Sequence, residues 1–198
     1  IDDTERFGYS RFKEILTKDN YTSKSISLLQ QPDIPSDCTV IVIGGPTTEY
    51  QPNIVSSFHK YVEAGGRALV LMDPPLKTGK PIIADNDALS AVLAAWGVTL
   101  TKNAILDLNP MGQLYGVGPE VALVNTYSYH PIVTDLRGVT TGFPLSRSMQ
   151  TKNMDKTTVQ QLFNSSESSV ATENLRSASF DGQDPKNKKG PLPLAAAG

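Results

Sequence analysis

The sequence predicts an α/β fold with a doubly wound, mostly parallel sheet, and three observations carry that expectation. Two runs, Val40-Ile41-Val42-Ile43 and Ala68-Leu69-Val70-Leu71-Met72, are continuously apolar rather than alternating, as expected of strands covered on both faces. Between them Ile54, Val55, Phe58, Tyr61 and Val62 form one helical stripe, and a single-helix connection places parallel strands side by side. Helix and strand signals then keep alternating, which implies right-handed crossovers and helices on both faces of a sheet of roughly five to seven strands. Residues 39–43 and 68–72 are expected at its centre.

Taken in order, Ser10 can cap a helix in which Phe12, Ile15 and Leu16 fall at helical spacing, ending near Asn20. Ser25 to Leu29 reads as a strand. After the loop 31–37 and the run 39–43, Pro52 suits a first helical turn, and Gly65-Gly66 ends the helix just before the run 68–72. Asp85 or Asn86 can cap the next helix, where Leu89, Val92, Leu93 and Trp96 keep helical spacing until Gly97. Val98 to Leu100, Ala104 to Leu106 and Val121 to Val124 are short strands. Met111 to Pro119 contains three glycines and no apolar period, so it reads as a loop. The polar stretch 145–158 and the segments 165–169 and 177–189 read as loops or extended chain, and Thr157 to Phe163 fits strand or helix equally.

A chain of 198 residues with 39% hydrophobic and 19% charged residues can bury a full core as one domain. A formal net charge of −2 leaves no basic surface for nucleic acid, the one lysine cluster being Lys186, Lys188 and Lys189. The single cysteine, Cys38, excludes an internal disulfide and a multi-thiolate metal site. The chain starts at Ile1 and closes on an apolar run, which reads as an excerpt of a larger protein, and no run nears the roughly 18 apolar residues of a spanning helix.

Open α/β sheets place their functional groups beyond the carboxyl ends of the strands. Here those positions hold Gly44-Gly45-Pro46 and Asp73-Pro74-Pro75, with no thiol, no Ser-His pair and no phosphate-gripping lysine. Gly45, Pro46, Thr47, Asp73 and Pro74 are expected on one surface, with Tyr115 joining them if the loop 111–119 folds over it. Cys38 precedes its strand, at the opposite end from where a nucleophile would stand. His59 and His130 have no metal-binding spacing: the first is expected partly exposed on its helix, the second to start a turn before Pro131. Ser146 and Ser148 lack a Gly-x-Ser-x-Gly setting, and Arg147 between them is able to pair with Asp73 or to grip an anion. No catalytic residue, cofactor or metal is expected.

Ile34-Pro35, Gly44-Gly45-Pro46, Gly65-Gly66-Arg67, Asp73-Pro74, Trp96-Gly97-Val98, His130-Pro131-Ile132-Val133, Phe143-Pro144-Leu145-Ser146-Arg147 and Lys189-Gly190-Pro191 follow one another in an order that persuades. The succession resembles the auxiliary component of gliding-motility-type ABC transport systems, the GldG-like domain related to the intraflagellar-transport GIFT domain. The resemblance spans nearly the whole chain, includes the Ser-rich segment Ser165 to Glu173, and departs at Val170, where an aromatic residue is expected. It implies a class I glutamine amidotransferase-like or flavodoxin-like fold without known catalysis. It further implies an extracytoplasmic, periplasmic domain of a membrane-anchored bacterial protein that works with ABC permease and ATPase subunits. Gly45, Pro46, Thr47, Asp73, Pro74, Tyr115, His130 and Arg147 are then the candidate contacts for a partner or a small polar ligand. Two other readings stand beside this one: a sugar- or peptide-binding module using Thr47, Thr48, Tyr50, Asp73 and Tyr115, and a degenerate hydrolase.

Overall fold

A computed structural model describes residues 2–4, 8–79, 82–176 and 181–198. The chain runs α1 (Ser10–Lys18), β1 (Val40–Gly44), α2 (Pro52–Glu63), β2 (Arg67–Leu71), α3 (Asp87–Ala95), β3 (Val98–Leu100), β4 (Ala104–Asp107) and α4 (Met111–Leu114). It continues with β5 (Val121–Val124), a 3-10 helix (Pro131–Leu136), β6 (Thr141–Pro144), β7 (Met149–Thr151), β8 (Gln160–Asn164), β9 (Ser169–Thr172), β10 (Lys188–Lys189) and β11 (Pro193–Ala197).

The doubly wound, mostly parallel sheet is not what forms. Among the described residues only β1 and β2 pair in parallel, with Val40 opposite Arg67 and Gly44 opposite Leu71. The other ladders, β3 with β7, β4 with β9, β5 with β6, β8 with β11 and β9 with β10, are antiparallel and belong to small separate sheets. The reading of β1, α2 and β2 as a parallel crossover unit was right, since one helix covers the distance back to the start of a neighbouring strand. Its extension past Val98 fails because those strands find partners far along the chain. Asp107, for example, lies opposite Ser169, and hydrophobic spacing carries no record of such pairings.

Nor do β1 and β2 lie in a covered centre. Ile41 and Ile43 are buried with Val55 and Phe58 of α2 and Leu89 of α3, which form one core. On the opposite face Val40 (42%), Val42 (41%), Leu69 (40%) and Leu71 (42%) remain exposed. Strands alternate their faces with a period of two, so helices packed on one side only leave this second apolar row in contact with water. Two further core clusters hold the antiparallel part together: Ile105, Ala122, Ala171 and Leu192, and Val124, Tyr127, Val133 and Leu162.

Other local expectations divide. Pro52 opens α2 at its first turn, β3, β4 and β5 fall where the apolar runs place them, and residues 157–163 resolve toward a strand, β8. Ser10 is the first residue of α1 rather than its cap; Tyr9 takes the cap position without a side-chain hydrogen bond. Residues 25–29 form no strand, and 111–119 contains the single turn α4. The extended segment expected at 177–189 lies outside the described residues over 177–180; its remainder ends in β10. No helix of the described residues is long and apolar enough to cross a membrane.

Candidate functional site

Beyond the carboxyl ends of β1 and β2 the chain turns tightly. The Gly45 amide still donates to the Leu71 carbonyl at 2.9 Å, extending the parallel ladder by one bond, before Gly45 takes a φ of +55° that disfavours any side chain. There is little room for one either. A methyl group on Gly45 would stand 3.1 Å from Asp73 Oδ2, and one on Gly44 would meet the Tyr9 phenol at 2.7 Å. The two glycines therefore admit Tyr9 and Asp73 to the backbone, and Tyr9 closes the upper end of the wet face of the β1–β2 pair.

Arg147 reaches this corner from the segment before β7. It is 5% exposed, its Nε donates to the Thr101 carbonyl at 2.8 Å, and one terminal nitrogen donates to the Asp73 carbonyl at 3.3 Å. Burial lowers its pKa, opposed by the carboxylates of Asp85, Asp73 and Asp87. Its neighbours are equally committed: Ser146 Oγ donates to the Phe143 carbonyl, and Ser148 is held by Asn103 through its amide and its hydroxyl. Arg147 thus fastens the carboxyl end of β2 to the segments around it.

Asp73 is exposed as a residue, yet its carboxyl group stands over Gly45. Desolvation raises its pKa, and the Arg147 charge opposes the rise. The same burial, together with the Asp73 charge, raises the Tyr9 phenol. A carboxyl raised in the folded state contributes stability that is full below its unfolded value and is lost as pH rises through the folded value. A carbon-detected NMR titration of Asp73 is therefore expected to show a midpoint above the ordinary 3.8, with stability falling over that window. A midpoint at or below the ordinary value would show that Arg147 outweighs burial.

The remaining candidates are placed as follows. Pro46 is half-buried, Thr47 is exposed with its carbonyl accepting from Ala84 N at 3.0 Å, and Pro74 is fully buried. Gly45, Asp73 and Arg147 do come together. Tyr115 does not join them: it is 54% exposed and lines a cleft with Asn109, Leu123, Ser128, Asn164 and Ser166. His130 caps the 3-10 helix, its Nδ1 accepting from Ile132 N at 3.2 Å. His59 stacks on Trp96 with ring centres 5.6 Å apart, its side chain 44% exposed as expected. Cys38 sits ahead of β1, donating to the Val40 carbonyl at 3.4 Å.

Two further residues organise the fold: Asn86, which the sequence offered as a cap and which does take the cap position of α3, though without a side-chain capping bond, and Asp107, which sequence reasoning missed. Asn86 is fully buried in a left-handed conformation, where it ties the loop after β1 to the start of α3. Its side chain accepts from Tyr50 N at 3.0 Å and donates to the Thr48 carbonyl at 3.1 Å, while Glu49 accepts from its amide at 2.8 Å. Asp107, 5% exposed at the end of β4, accepts from Asn109 N, Leu123 N and Ser166 Oγ. The signal for Asp107 was present: it is a carboxylate at a strand's carboxyl end, the same placement that drew attention to Asp73.

Among the described residues no group of three or more His, Cys, Asp or Glu is arranged to hold a metal. The chain matches no curated protein. Among solved structures it is similar to the "mmIFT52 N-terminal domain", with a TM-score of 0.57 and 13% identity over 83% of this chain and 76% of that one. At that identity the likeness speaks to the fold. The family model described as "ABC-type uncharacterized transport system" matches residues 8–197, and the chain, spanned almost end to end, belongs to that family of ABC transport auxiliary proteins.

Proposed function

We propose that this domain is a noncatalytic, extracytoplasmic accessory component of a gliding-motility-type ABC transport system, which docks onto a permease or ATPase-associated partner subunit. The observation that carries the reading is the apolar row Val40, Val42, Leu69 and Leu71. These four side chains share one face of a two-stranded parallel sheet and are each about two-fifths exposed. Parallel strands are ordinarily covered on both faces, and an apolar strip left in water marks a protein contact. Membership of a transport auxiliary family supports a transporter subunit as the occupant. The strand ends support a docking role over catalysis: Asp73-Pro74-Pro75 stands where a nucleophile elbow would, and Arg147 already spends donors on carbonyls.

Val42→Asp combined with Leu69→Asp tests this, since both side chains face solvent and a charge there leaves the Ile41 and Ile43 core untouched. The double variant is expected to lose recovery of the transporter subunits in a pull-down while keeping its melting temperature. Asp73→Ala, at the end of the same sheet, is expected to weaken recovery by a smaller factor. Undiminished recovery at unchanged melting temperature would overturn the reading, as would loss of self-association alone in sedimentation.

A further inference from the structure

An open cleft of about 730 Å³ lies away from the strand-end corner. Its walls are the segment after β4 with Asn109 and Tyr115, the end of β5 running to Ser128, strand β8 with Asn164, and the turn 165–168. Asp107 fixes three of these walls at once, because its carboxylate accepts from Asn109 N at 3.0 Å, Leu123 N at 2.9 Å and Ser166 Oγ at 2.6 Å. The cleft is thus a built feature of the antiparallel half.

The chemistry of the lining is selective. Among the described residues that form it there is no lysine, arginine or histidine to hold an anion, and Glu167 is the one carboxylate, too few for a cation. The main chain bordering it is largely spent: Leu123 N donates to Asp107, Ser128 N to the Leu162 carbonyl and Ser165 N to the Leu192 carbonyl. An extended peptide that relies on backbone pairing therefore finds few partners there. What remains are side-chain amides, hydroxyls and aromatic faces. The Asn164 side chain is exposed with no partner among the described residues, and Ser128 Oγ is buried at the cleft wall without one. Tyr115, 54% exposed, adds an aromatic ring to the lining.

We infer that this cleft binds an uncharged saccharide. A pyranose presents an apolar C–H face suited to an aromatic ring and a rim of hydroxyls that both donate and accept, which amides and hydroxyls match in both senses. The inference is independent of the docking surface, since it uses neither the β1–β2 face nor Asp73.

The test is calorimetric titration of the intact domain with maltotriose, cellotriose and triacetylchitotriose, with trialanine and inorganic phosphate as contrasting probes. At least one trisaccharide is expected to bind saturably at up to millimolar concentration. Tyr115→Ala and Asn164→Ala are each expected to weaken that binding by about tenfold without lowering the melting temperature, and Asp73→Ala to leave it unchanged. Three silent trisaccharides, binding only of trialanine or phosphate, or affinity that survives both cleft substitutions would overturn the assignment.

Discussion

Asp107→Ala is expected to destabilise the domain by about 3–5 kcal/mol, enough to consume much of the stability of a domain of this size. The carboxylate is 5% exposed and accepts three hydrogen bonds from three separate parts of the chain. Removing it leaves the Leu123 amide and the Ser166 hydroxyl without acceptors where water has limited access, and each orphaned donor costs about 1–3 kcal/mol. Asp107→Asn retains one carbonyl oxygen but turns an NH2 group toward at least one donor, so an intermediate loss of about 2 kcal/mol is expected. Urea denaturation followed by circular dichroism measures both. If Asp107→Ala unfolds at the wild-type midpoint, the carboxylate is not the pin that joins β4, β5 and the turn at Ser166.

The second large effect is expected from Gly97→Ala, about 3 kcal/mol or more. Gly97 ends α3, its amide donating to the Ala94 carbonyl, and it adopts a φ of +94°. A methyl group there would stand 2.1 Å from the Lys152 carbonyl oxygen and 3.0 Å from Val159 Cγ2. The oxygen belongs to main chain that is itself fixed, because Lys152 N donates to the Gly97 carbonyl at 2.9 Å. Alanine therefore meets two penalties, an unfavourable backbone conformation and a collision that only separating β3 from β7 relieves. The exposed Gly65, with φ +94° and nothing within 4 Å of its added methyl, isolates the first penalty: Gly65→Ala is expected to cost about 1 kcal/mol. Equal losses at the two positions would show that the Lys152 contact yields easily.

These residues also show what hydrophobic spacing reports and what it leaves silent. Gly97 stood out as a helix stop because the stripe Leu89, Val92, Leu93 and Trp96 ends before it, but the strand that crosses it was invisible. Arg147 and Asp73 were paired on chemical type, and the structure joins them through the Asp73 carbonyl while their side-chain charges interact at longer range. Tyr115 was expected over the strand ends, because a glycine-bearing loop has no fixed direction in sequence; the hydrogen bonds of Asp107 and Asn109 turn that loop toward β5 and β8 instead. His130 as a helix-starting residue and His59 as a half-exposed one were legible, since capping and helical facing are set within a few residues.

By itself the sequence determined the local elements and one supersecondary unit: β1, α2 and β2 as a parallel pair, the ends of α2 and α3 at glycines, and the short strands β3, β4 and β5. It also carried, through the order of its short motifs, the link to an ABC transport auxiliary family. Those features depend on neighbours within one crossover, where apolar period, proline and glycine decide the outcome. Only the tertiary structure decided that the rest of the sheet is antiparallel and divided, that one face of β1 and β2 is wet, and that Asp107 rather than Asp73 organises the cleft lined by Tyr115 and Asn164. The pairing of Asp107 with Ser169, or of Val98 with Thr151, is chosen by burial and hydrogen bonding between segments more than fifty residues apart, and no local pattern encodes a choice made at that range.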